Sequence, residues 1–285
     1  MVKVGIIGGS GIYDLEGLKN VEQVSILTPF GQPSGNYITG NLDGVEVVFL
    51  PRHGKGHKIS PSQINYLANI FGMKKLGVNA IISVSACGSL KEKIKPLDFV
   101  VPDQFIDWTK RRDSTFFTGG IVVHVAFADP VSPEISEILI NSAKELGITV
   151  HAGGIYITME GPQFSTKAES HLYRQWGIDI IGMTNVTEAK LAREAEISYA
   201  TLAAVTDYDC WHEAHESVTV EMILDNLRKN VENAKKILKV AIKKVGQLKK
   251  FSAQDALKYA IVTPANAIPE DKKQELAILI GKYIK

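Results

Sequence analysis

Short apolar runs alternate along the chain with longer segments in which apolar residues recur every three or four positions. The short runs predict buried strands at residues 2–7, 45–50, 80–85, 99–105, 154–159, 178–183 and 197–205. The longer segments predict helices at residues 62–76, 132–146, 168–176, 186–196, 218–247 and 271–284. Such alternation of strands and helices is typical of an α/β fold with a mainly parallel sheet.

The chain is expected to form a single main domain. Its 285 residues, 45% of them hydrophobic, suffice for one large core. No linker-like stretch, low-complexity segment or internal repeat interrupts the alternation. The domain is predicted to span residues 1–250, and a helical extension at residues 251–285 to pack on that domain or on a neighbouring subunit.

Composition argues against large charged partners. The formal net charge of +1 gives no general attraction to nucleic acid or to a membrane surface. Lysines crowd residues 235–250, but they interleave with apolar residues as on the solvated face of a helix. No apolar run reaches the roughly 18 residues of a spanning helix, and the N-terminus does not resemble a signal peptide. With two distant cysteines and no CxxC, the chain is expected to be cytoplasmic.

Two acids, Asp207 and Asp209, follow the apolar run at residues 197–205. Ligands of open α/β sheets bind at the carboxyl ends of strands, which is where these acids are expected. On an extended backbone, residues two apart point the same way, so both carboxylates would face one ligand. The pair is compatible with a divalent metal, with acid–base work or with hydrogen bonding to a ligand. Partial burial of both acids would raise the proton affinity of one of them.

Three other predicted strands also end in groups that suit an oxyanion. Ser10 lies in a glycine-rich turn after the first strand, Arg52 and His53 follow the second, and Ser85 ends the third. Hydroxyls and backbone N–H groups can approach a phosphate closely, and an arginine offers it a planar fork. The neighbouring histidine is expected to donate a further hydrogen bond. The three turns together predict one shared oxyanion site.

The sequence offers little support for dinucleotide or nucleoside-triphosphate binding, for a zinc site or for a serine nucleophile. Gly9 and Gly11 begin a dinucleotide-binding pattern, but Asp14 occupies the place of its third glycine, and no GxxxxGK[ST] is present. His53 and His57 have a zinc-like spacing only on a helix, which the intervening glycines disfavour. GxSxG is also absent, so covalent catalysis by a serine is not predicted.

Taken together, the motifs resemble those of the methylthioadenosine phosphorylases, in the trimeric branch of the purine nucleoside phosphorylase superfamily. The resemblance runs from about residue 4 to residue 250 and rests on GGSGIYD, PRHGKGH, NYLANI, SACGSL, DQFIDWT, EGPQFST, GMTNVTEAKLAREA and TDYDCW. It implies a mixed, mainly parallel twisted sheet flanked by helices. It also implies phosphorolysis of 5′-methylthioadenosine to adenine and 5-methylthioribose 1-phosphate, a step of purine and methionine salvage.

The resemblance further implies no metal or organic cofactor, inorganic phosphate as co-substrate, and a homotrimer or homohexamer. By motif, the implied phosphate ligands are Ser10, Arg52, His53, Ser85, Ala86 and Thr184. The implied nucleoside contacts are Phe164, Met183, Asp207, Asp209, Ile223 and His124, the last contributed by a neighbouring subunit. Ser165 and Val220 match positions tied to substrate choice. Asp207 would assist the leaving base at N7, and Asp209 would accept from the 6-amino group.

Three alternatives remain at this point. A phosphorylase of 6-oxopurine nucleosides or methylthioinosine would be expected to carry asparagine at the first acid, where this chain has Asp207. A catalytically silent nucleoside-binding protein would keep the fold and bind without releasing base. A dinucleotide-dependent oxidoreductase would have to bind NAD through the glycine-rich first turn.

Overall fold

The computed structural model describes residues 2–9, 11 and 12, 15–212 and 220–284, with the backbone alone given for 220–223. Its strands are β1 (Lys3–Gly8), β2 (Lys19–Val24), β3 (Tyr37–Leu42), β4 (Val45–Pro51), β5 (Ala80–Ser89), β6 (Phe99–Val101), β7 (Gln104–Trp108), β8 (Val150–Ala152), β9 (Ile155–Met159), β10 (Ile180–Gly182) and β11 (Ser198–Asp207). Its α-helices are α1 (Tyr66–Lys75), α2 (Pro133–Glu145), α3 (Lys167–Gln175), α4 (Asn185–Glu194), α5 (Val220–Val245), α6 (Glu270–Glu275) and α7 (Ala277–Ile280).

The strands form one mixed sheet with β5 at its centre. The main path runs β2-β3-β4-β1-β5-β10-β9-β7, while β11 pairs with β5 and β6, and β6 pairs with β8. β5 is parallel to β1 and to β11, and it pairs antiparallel with β10 at its far end. The predicted fold class, a mainly parallel sheet flanked by helices, is confirmed.

Helices cover both faces of the sheet. On one face, α2 and α5 pack through Leu139, Ile237 and Ile242 onto strand residues such as Val47 and Leu202. On the other face, a second core is formed by α1, α4 and the C-terminal segment, with these buried members: Ile70, Phe71, Leu191, Ala192, Leu257, Ile268, Leu276 and Ile280. Burial of these apolar side chains is the main contribution to the stability of the three layers.

The C-terminal segment is bound to the body of the same chain through Glu196. The Glu196 Oε1 atom accepts from the Tyr283 hydroxyl at 2.5 Å and from the Leu257 N–H at 3.0 Å. The Lys282 ammonium lies 2.7 Å from Glu196 Oε2. The buried Glu196 carboxylate therefore holds the C-terminal segment at Leu257 and again at Lys282 and Tyr283. Among the described residues, no helix has the length and apolar character needed to cross a lipid bilayer.

Several predicted boundaries were wrong. The strand predicted at residues 80–85 continues to Ser89 as β5, because residues 86–89 pair with β11 and β10, so Ser85 does not end it. The strand predicted at residues 99–105 is two strands, β6 and β7, because Pro102 between them lacks a backbone donor and the two pair with different neighbours. The helix predicted at 62–76 begins at Tyr66, where Asn65 caps it by accepting from the Ala68 N–H. The helix predicted at 271–284 is the pair α6 and α7.

Strands β2, β3 and β8 were not predicted. β2 is an exposed edge strand without apolar alternation. The hairpin between β3 and β4 turns at Asp43 and Gly44, both with positive φ, which is the Asp-Gly signal of a tight hairpin.

Candidate active site

A cavity of about 560 Å³ opens where β4, β5, β9 and β11 end. The carboxyl ends of these strands meet there, which is the usual ligand position in a sheet of this kind. It is lined by nine residues predicted from the sequence: Arg52, His53, Ser85, Ala86, Phe164, Met183, Thr184, Asp207 and Asp209. A separate cavity of about 460 Å³ beside α2 contains none of them.

Asp207 and Asp209 share this cavity, although not through an extended backbone. Asp207 is the last residue of β11, and Asp209 has a φ of 52°, so the chain turns between them. The Asp209 N–H donates to Asp207 Oδ1 at 2.8 Å. The expectation of a continuous strand through both acids was wrong, but the turn brings both carboxylates to the cavity wall.

Burial raises the pKa of both carboxyls. For Asp207, hydrogen bonds from the Thr206 hydroxyl and the Asp209 N–H oppose the rise in pKa, whereas the negative charge of Asp209 adds to it. For Asp209 the rise in pKa again comes first from burial. The Asp209 Oδ2 atom is buried and has no hydrogen-bond partner of good geometry among the described residues, although the Ser165 and Ser170 hydroxyls and the Cys210 N–H lie near enough to the carboxyl to oppose the rise in its pKa. It is thus an acceptor available to a ligand.

Thr206 allows Asp207 to exist in either protonation state. Its Oγ1 lies 2.7 Å from Asp207 Oδ2 and 3.2 Å from the Cys87 carbonyl oxygen. A hydroxyl has one proton, so it can donate to an ionised Asp207, or donate to Cys87 and accept from a protonated Asp207. Gly88 leaves room for this arrangement, since a Cβ there would lie 2.9 Å from Asp207 Oδ1.

Arg52 lines the cavity, but most of its guanidinium N–H donors are already bonded within the protein. Its guanidinium is bonded to Glu188, and its Nη1 donates to the Val84 carbonyl at 3.0 Å. Glu188 is buried and also accepts from the Ser83 hydroxyl at 2.8 Å. Sequence reasoning did not identify Glu188, because an acid in an amphipathic helix normally faces water.

His53 is a neutral ring in this structure. Its Nδ1 lies 2.9 Å from the Ile59 carbonyl oxygen, which can only accept, so Nδ1 carries the proton. Burial and the neighbouring Arg52 charge lower the pKa of His53 to about 4. Its Nε2 is therefore an acceptor at neutral pH, not the donor expected from the sequence.

Ser85 and Thr184 both provide buried hydroxyls to the cavity, Ser85 from within β5 and not from its end. The Ser85 hydroxyl has no partner of good geometry among the described residues, although it lies near enough to Tyr156 to oppose the rise in that residue's pKa. Thr184 immediately precedes α4 and faces the Asn185 Oδ1 atom at 3.3 Å. A hydroxyl at a helix N-terminus is well placed for an anion.

Two other predicted site residues, His124 and Ser165, do not line the cavity. His124 is exposed, and its N–H donates to the Ala260 carbonyl, so it is not part of the cavity of its own chain. Ser165 is buried behind the cavity, with its hydroxyl 3.7 Å from the Met159 sulfur. Ser10 and the side chains of Val220 and Ile223 lie outside the described residues.

Apolar contacts on α5 were missed by the sequence reasoning. Leu224 and Leu227 line the cavity, as do Met159 and Ile181. The two leucines follow Val220 and Ile223 at the spacing of one helix face, so helical periodicity would have identified them. In the described part of the chain, no group of three or more His, Cys, Asp or Glu side chains is arranged to hold a metal ion.

Comparison with known proteins places the chain in a family. The model of the phosphorylase superfamily matches residues 3–243. An S-methyl-5′-thioadenosine phosphorylase of Geobacter sulfurreducens is 54% identical over 282 residues, covering 99% of each chain. That of Thermosynechococcus vestitus is 55% identical over 286 residues, again covering 99% of each.

Solved structures agree with the sequence comparison. The crystal structure of a methylthioadenosine phosphorylase from an antarctic soil metagenomic library has a TM-score of 0.94 and 51% identity, covering 98% of both chains. The Schistosoma mansoni methylthioadenosine phosphorylase in complex with adenine has a TM-score of 0.83 and 38% identity, covering 99% of this chain and 98% of that one. With these matches and the cavity at the strand ends, the chain belongs to the methylthioadenosine phosphorylases of the phosphorylase superfamily.

Proposed function

We propose that this protein cleaves 5′-methylthioadenosine with inorganic phosphate, giving adenine and 5-methylthioribose 1-phosphate. The observation that carries the proposal is the unpaired, buried Asp209 Oδ2 beside Asp207 at the cavity wall. An acceptor at this place suits the 6-amino group of adenine and repels the 6-oxo group of hypoxanthine. The relatives named above as methylthioadenosine phosphorylases support the same substrate.

The phosphate is proposed to bind between the end of β4 and the middle of β5. The Ser85 hydroxyl and the backbone of Ala86 face it from β5, and Thr184 faces it from the start of α4. Arg52 provides its remaining Nη1 hydrogen, and the His53 Nε2 accepts a hydrogen bond from the hydroxyl of a hydrogen phosphate ion, which keeps its proton. Ser10 is proposed to complete the set from its glycine-rich turn.

The reaction breaks the bond between ribose C1′ and adenine N9 and forms a bond between C1′ and a phosphate oxygen. Positive charge develops on the ribose ring as the base departs, and the adjacent phosphate anion stabilises that charge before it attacks. The electron pair of the broken bond goes to adenine. A protonated Asp207, favoured by burial that raises its pKa, donates its proton to N7 of the departing base.

The remaining walls are proposed to select the nucleoside. Phe164 at the rim packs on the purine, and Met183 packs on the ribose. Leu224 and Leu227 form an apolar surface that suits the 5′-methylthio group better than the hydroxyl of adenosine. Val220 and Ile223 are proposed to extend this surface, Ser165 to influence substrate choice, and His124 to reach the pocket of a neighbouring subunit in a trimer or hexamer.

The test is a base-release assay on methylthioadenosine, adenosine, inosine and methylthioinosine, each with and without phosphate. Phosphate-dependent release of adenine, with methylthioadenosine as the preferred nucleoside, is expected. Preference for either 6-oxopurine would overturn the proposal in favour of the alternative phosphorylase, and release without phosphate would make the protein a hydrolase. Light scattering in solution tests the trimer or hexamer separately.

A further inference from the structure

One buried arginine outside the cavity bonds to the ends of two strands that carry cavity residues. Arg112 lies in the loop after β7, and its side chain is 1% exposed. Its Nη1 donates to the Met183 carbonyl at 2.5 Å, just after β10. Its Nη2 donates to the Glu160 carbonyl at 2.8 Å and faces the Met159 carbonyl at 3.4 Å, at the end of β9. One guanidinium thus holds both strand ends.

The Glu160 side chain in turn binds the loop that contains Arg112. Glu160 Oε2 accepts from the backbone N–H groups of Lys110 and Arg111 at 2.6 and 3.2 Å, while Oε1 accepts from the Ser62 hydroxyl. The Arg112 Nε lies 3.5 Å from Oε1. The arginine therefore binds the backbone of the Glu160 loop, and the glutamate binds the backbone of the arginine loop. Such crossed contacts fix both loops relative to each other.

This arrangement holds the part of the cavity wall, at Met159 and Met183, where the nucleoside is proposed to bind. Met159 and Met183 line the cavity, and both carry carbonyls that face Arg112. Gly161 packs closely on Met183, since a Cβ on Gly161 would lie 2.6 Å from the Met183 sulfur. A displacement of the loop at Glu160 is therefore expected to move Met183 and also Phe164, four residues after Glu160.

We propose that Arg112 and Glu160 form a positioning clamp for the nucleoside, holding Met159, Met183 and Phe164 in the geometry that catalysis needs. The proposal rests on the proposed function, because the nucleoside is the ligand that these three residues would contact. Neither Arg112 nor Glu160 lines the cavity, so both act through the residues they hold.

Thr184, a proposed phosphate ligand, is followed by a residue that is held by other contacts. Asn185, next to Thr184, donates from Nδ2 to Ser83 at 3.1 Å, to the Tyr199 hydroxyl at 3.1 Å and to Thr201 at 2.9 Å. Arg112 takes part in none of these three contacts. Loss of the clamp is therefore expected to affect the nucleoside and to leave the phosphate largely unaffected.

The test compares Arg112→Lys with Arg111→Lys. Lysine keeps the charge at position 112 but cannot donate to three carbonyls in one plane. Arg111 is the matched control, because its side chain is exposed and only its backbone N–H enters the clamp. Steady-state kinetics with methylthioadenosine and phosphate as varied substrates, melting temperatures and calorimetric binding of adenine are measured on both.

For Arg112→Lys, we expect kcat/KM for methylthioadenosine to fall roughly 10- to 100-fold, as for other slightly displaced sites. The KM for phosphate is expected to stay within about threefold of wild type, because only the nucleoside side loses its support. Adenine is expected to bind more weakly. Millimolar guanidinium is expected to restore part of the activity of Arg112→Ala and to add nothing to Arg111→Ala.

A folded Arg112→Lys enzyme with wild-type kcat/KM, or with equal losses for both substrates, would overturn the clamp. If Arg112→Lys does not fold, Glu160→Gln has to lose kcat/KM for methylthioadenosine while keeping the KM for phosphate. If neither variant folds, Arg112 and Glu160 have only a structural role and the clamp is overturned. A wild-type protein without phosphorolytic activity would refute the proposed function instead. Adenine binding to wild type and Arg112→Lys would then still decide whether the clamp positions a base.

Discussion

The Arg52 guanidinium and the Glu188 carboxylate form a two-point ion pair beneath the cavity, with Nε 2.5 Å from Oε1 and Nη2 3.1 Å from Oε2. Both side chains are buried, and Oε2 also accepts from the Tyr199 hydroxyl at 3.0 Å. The charge of Arg52 is therefore balanced within the protein. At the proposed phosphate site, an anion would therefore meet a single remaining N–H of this arginine, and neutral donors would supply most of its other hydrogen bonds.

Glu188→Gln is expected to destabilise the protein by about 3–5 kcal/mol, because it leaves the buried Arg52 cation without its counter-charge. Urea unfolding measures the loss. Phosphate is expected to raise the melting temperature more in this variant than in wild type, since the anion then neutralises Arg52. The control is Glu232→Gln, which removes an exposed pair with Lys235 and should leave the unfolding free energy unchanged. Equal unfolding curves for the two variants would contradict the prediction.

Asp207→Asn is expected to lower kcat by about 10²- to 10³-fold, the usual effect of losing one donor to the transition state. The amide cannot transfer a proton to N7 of adenine. A nucleoside whose base departs readily without protonation should lose much less activity in the same variant. Measuring both substrates separates proton donation from general damage, and an equal loss for the two would rule out the assigned role.

Asp209→Asn is expected to change substrate preference more than overall activity. An amide at this position can donate to a 6-oxo group, whereas the buried Oδ2 of the native carboxylate can only accept when ionised. The ratio of kcat/KM for inosine over adenosine should rise by at least roughly tenfold. If the ratio stays at its wild-type value, Asp209 does not read the 6-position.

Glu194 is expected to make stability depend on pH near neutrality. Burial raises the pKa of this carboxyl from its ordinary 4.5 to about 7, against the opposing effects of the Phe116 N–H, the Thr115 hydroxyl and Lys190. The folded protein therefore binds this proton more tightly than the unfolded chain does. Its contribution to stability is complete below about pH 4.5 and is lost as the pH rises through 7.

The size of that change is about 3 kcal/mol, from a pKa shift of this magnitude. Urea unfolding at several pH values between 5 and 9 measures it on about this scale. Glu194→Gln keeps an oxygen that can accept from the Phe116 N–H, so it should fold and should show a flatter profile over this range. A wild-type slope that persists in the variant would assign the pH dependence to another group.

The central strands and most helices could be predicted because their apolar residues follow regular periods. β11 is a continuous apolar run, and α2 and α5 each show one clear apolar face. The edge strand β2 has no such pattern, since it is exposed along most of its length and is held by backbone hydrogen bonds to β3. Its existence depends on a partner that local sequence does not reveal.

Residues of the cavity that bear recognisable chemistry, such as Asp207 and Arg52, were also accessible from the sequence. Their buried partners were not. Glu188 and Arg112 are charged residues that a single sequence would place in solvent, and only the folded chain brings each to a partner distant in sequence. Which ring nitrogen of His53 carries the proton likewise depends on the Ile59 carbonyl, six residues away across an irregular loop.

The central position of β5 has a consequence for synthesis of the chain. Along most of its length it lies between β1, which precedes it in the chain, and β11, which ends at Asp207. Pairing over such a separation closes a large loop and slows folding. Until residue 207 has been synthesised, one long edge of β5 has no complete partner strand, and both acids of the cavity are missing. The protein can thus acquire its binding site only late in translation, and until then this edge is open to chaperones or to aggregation.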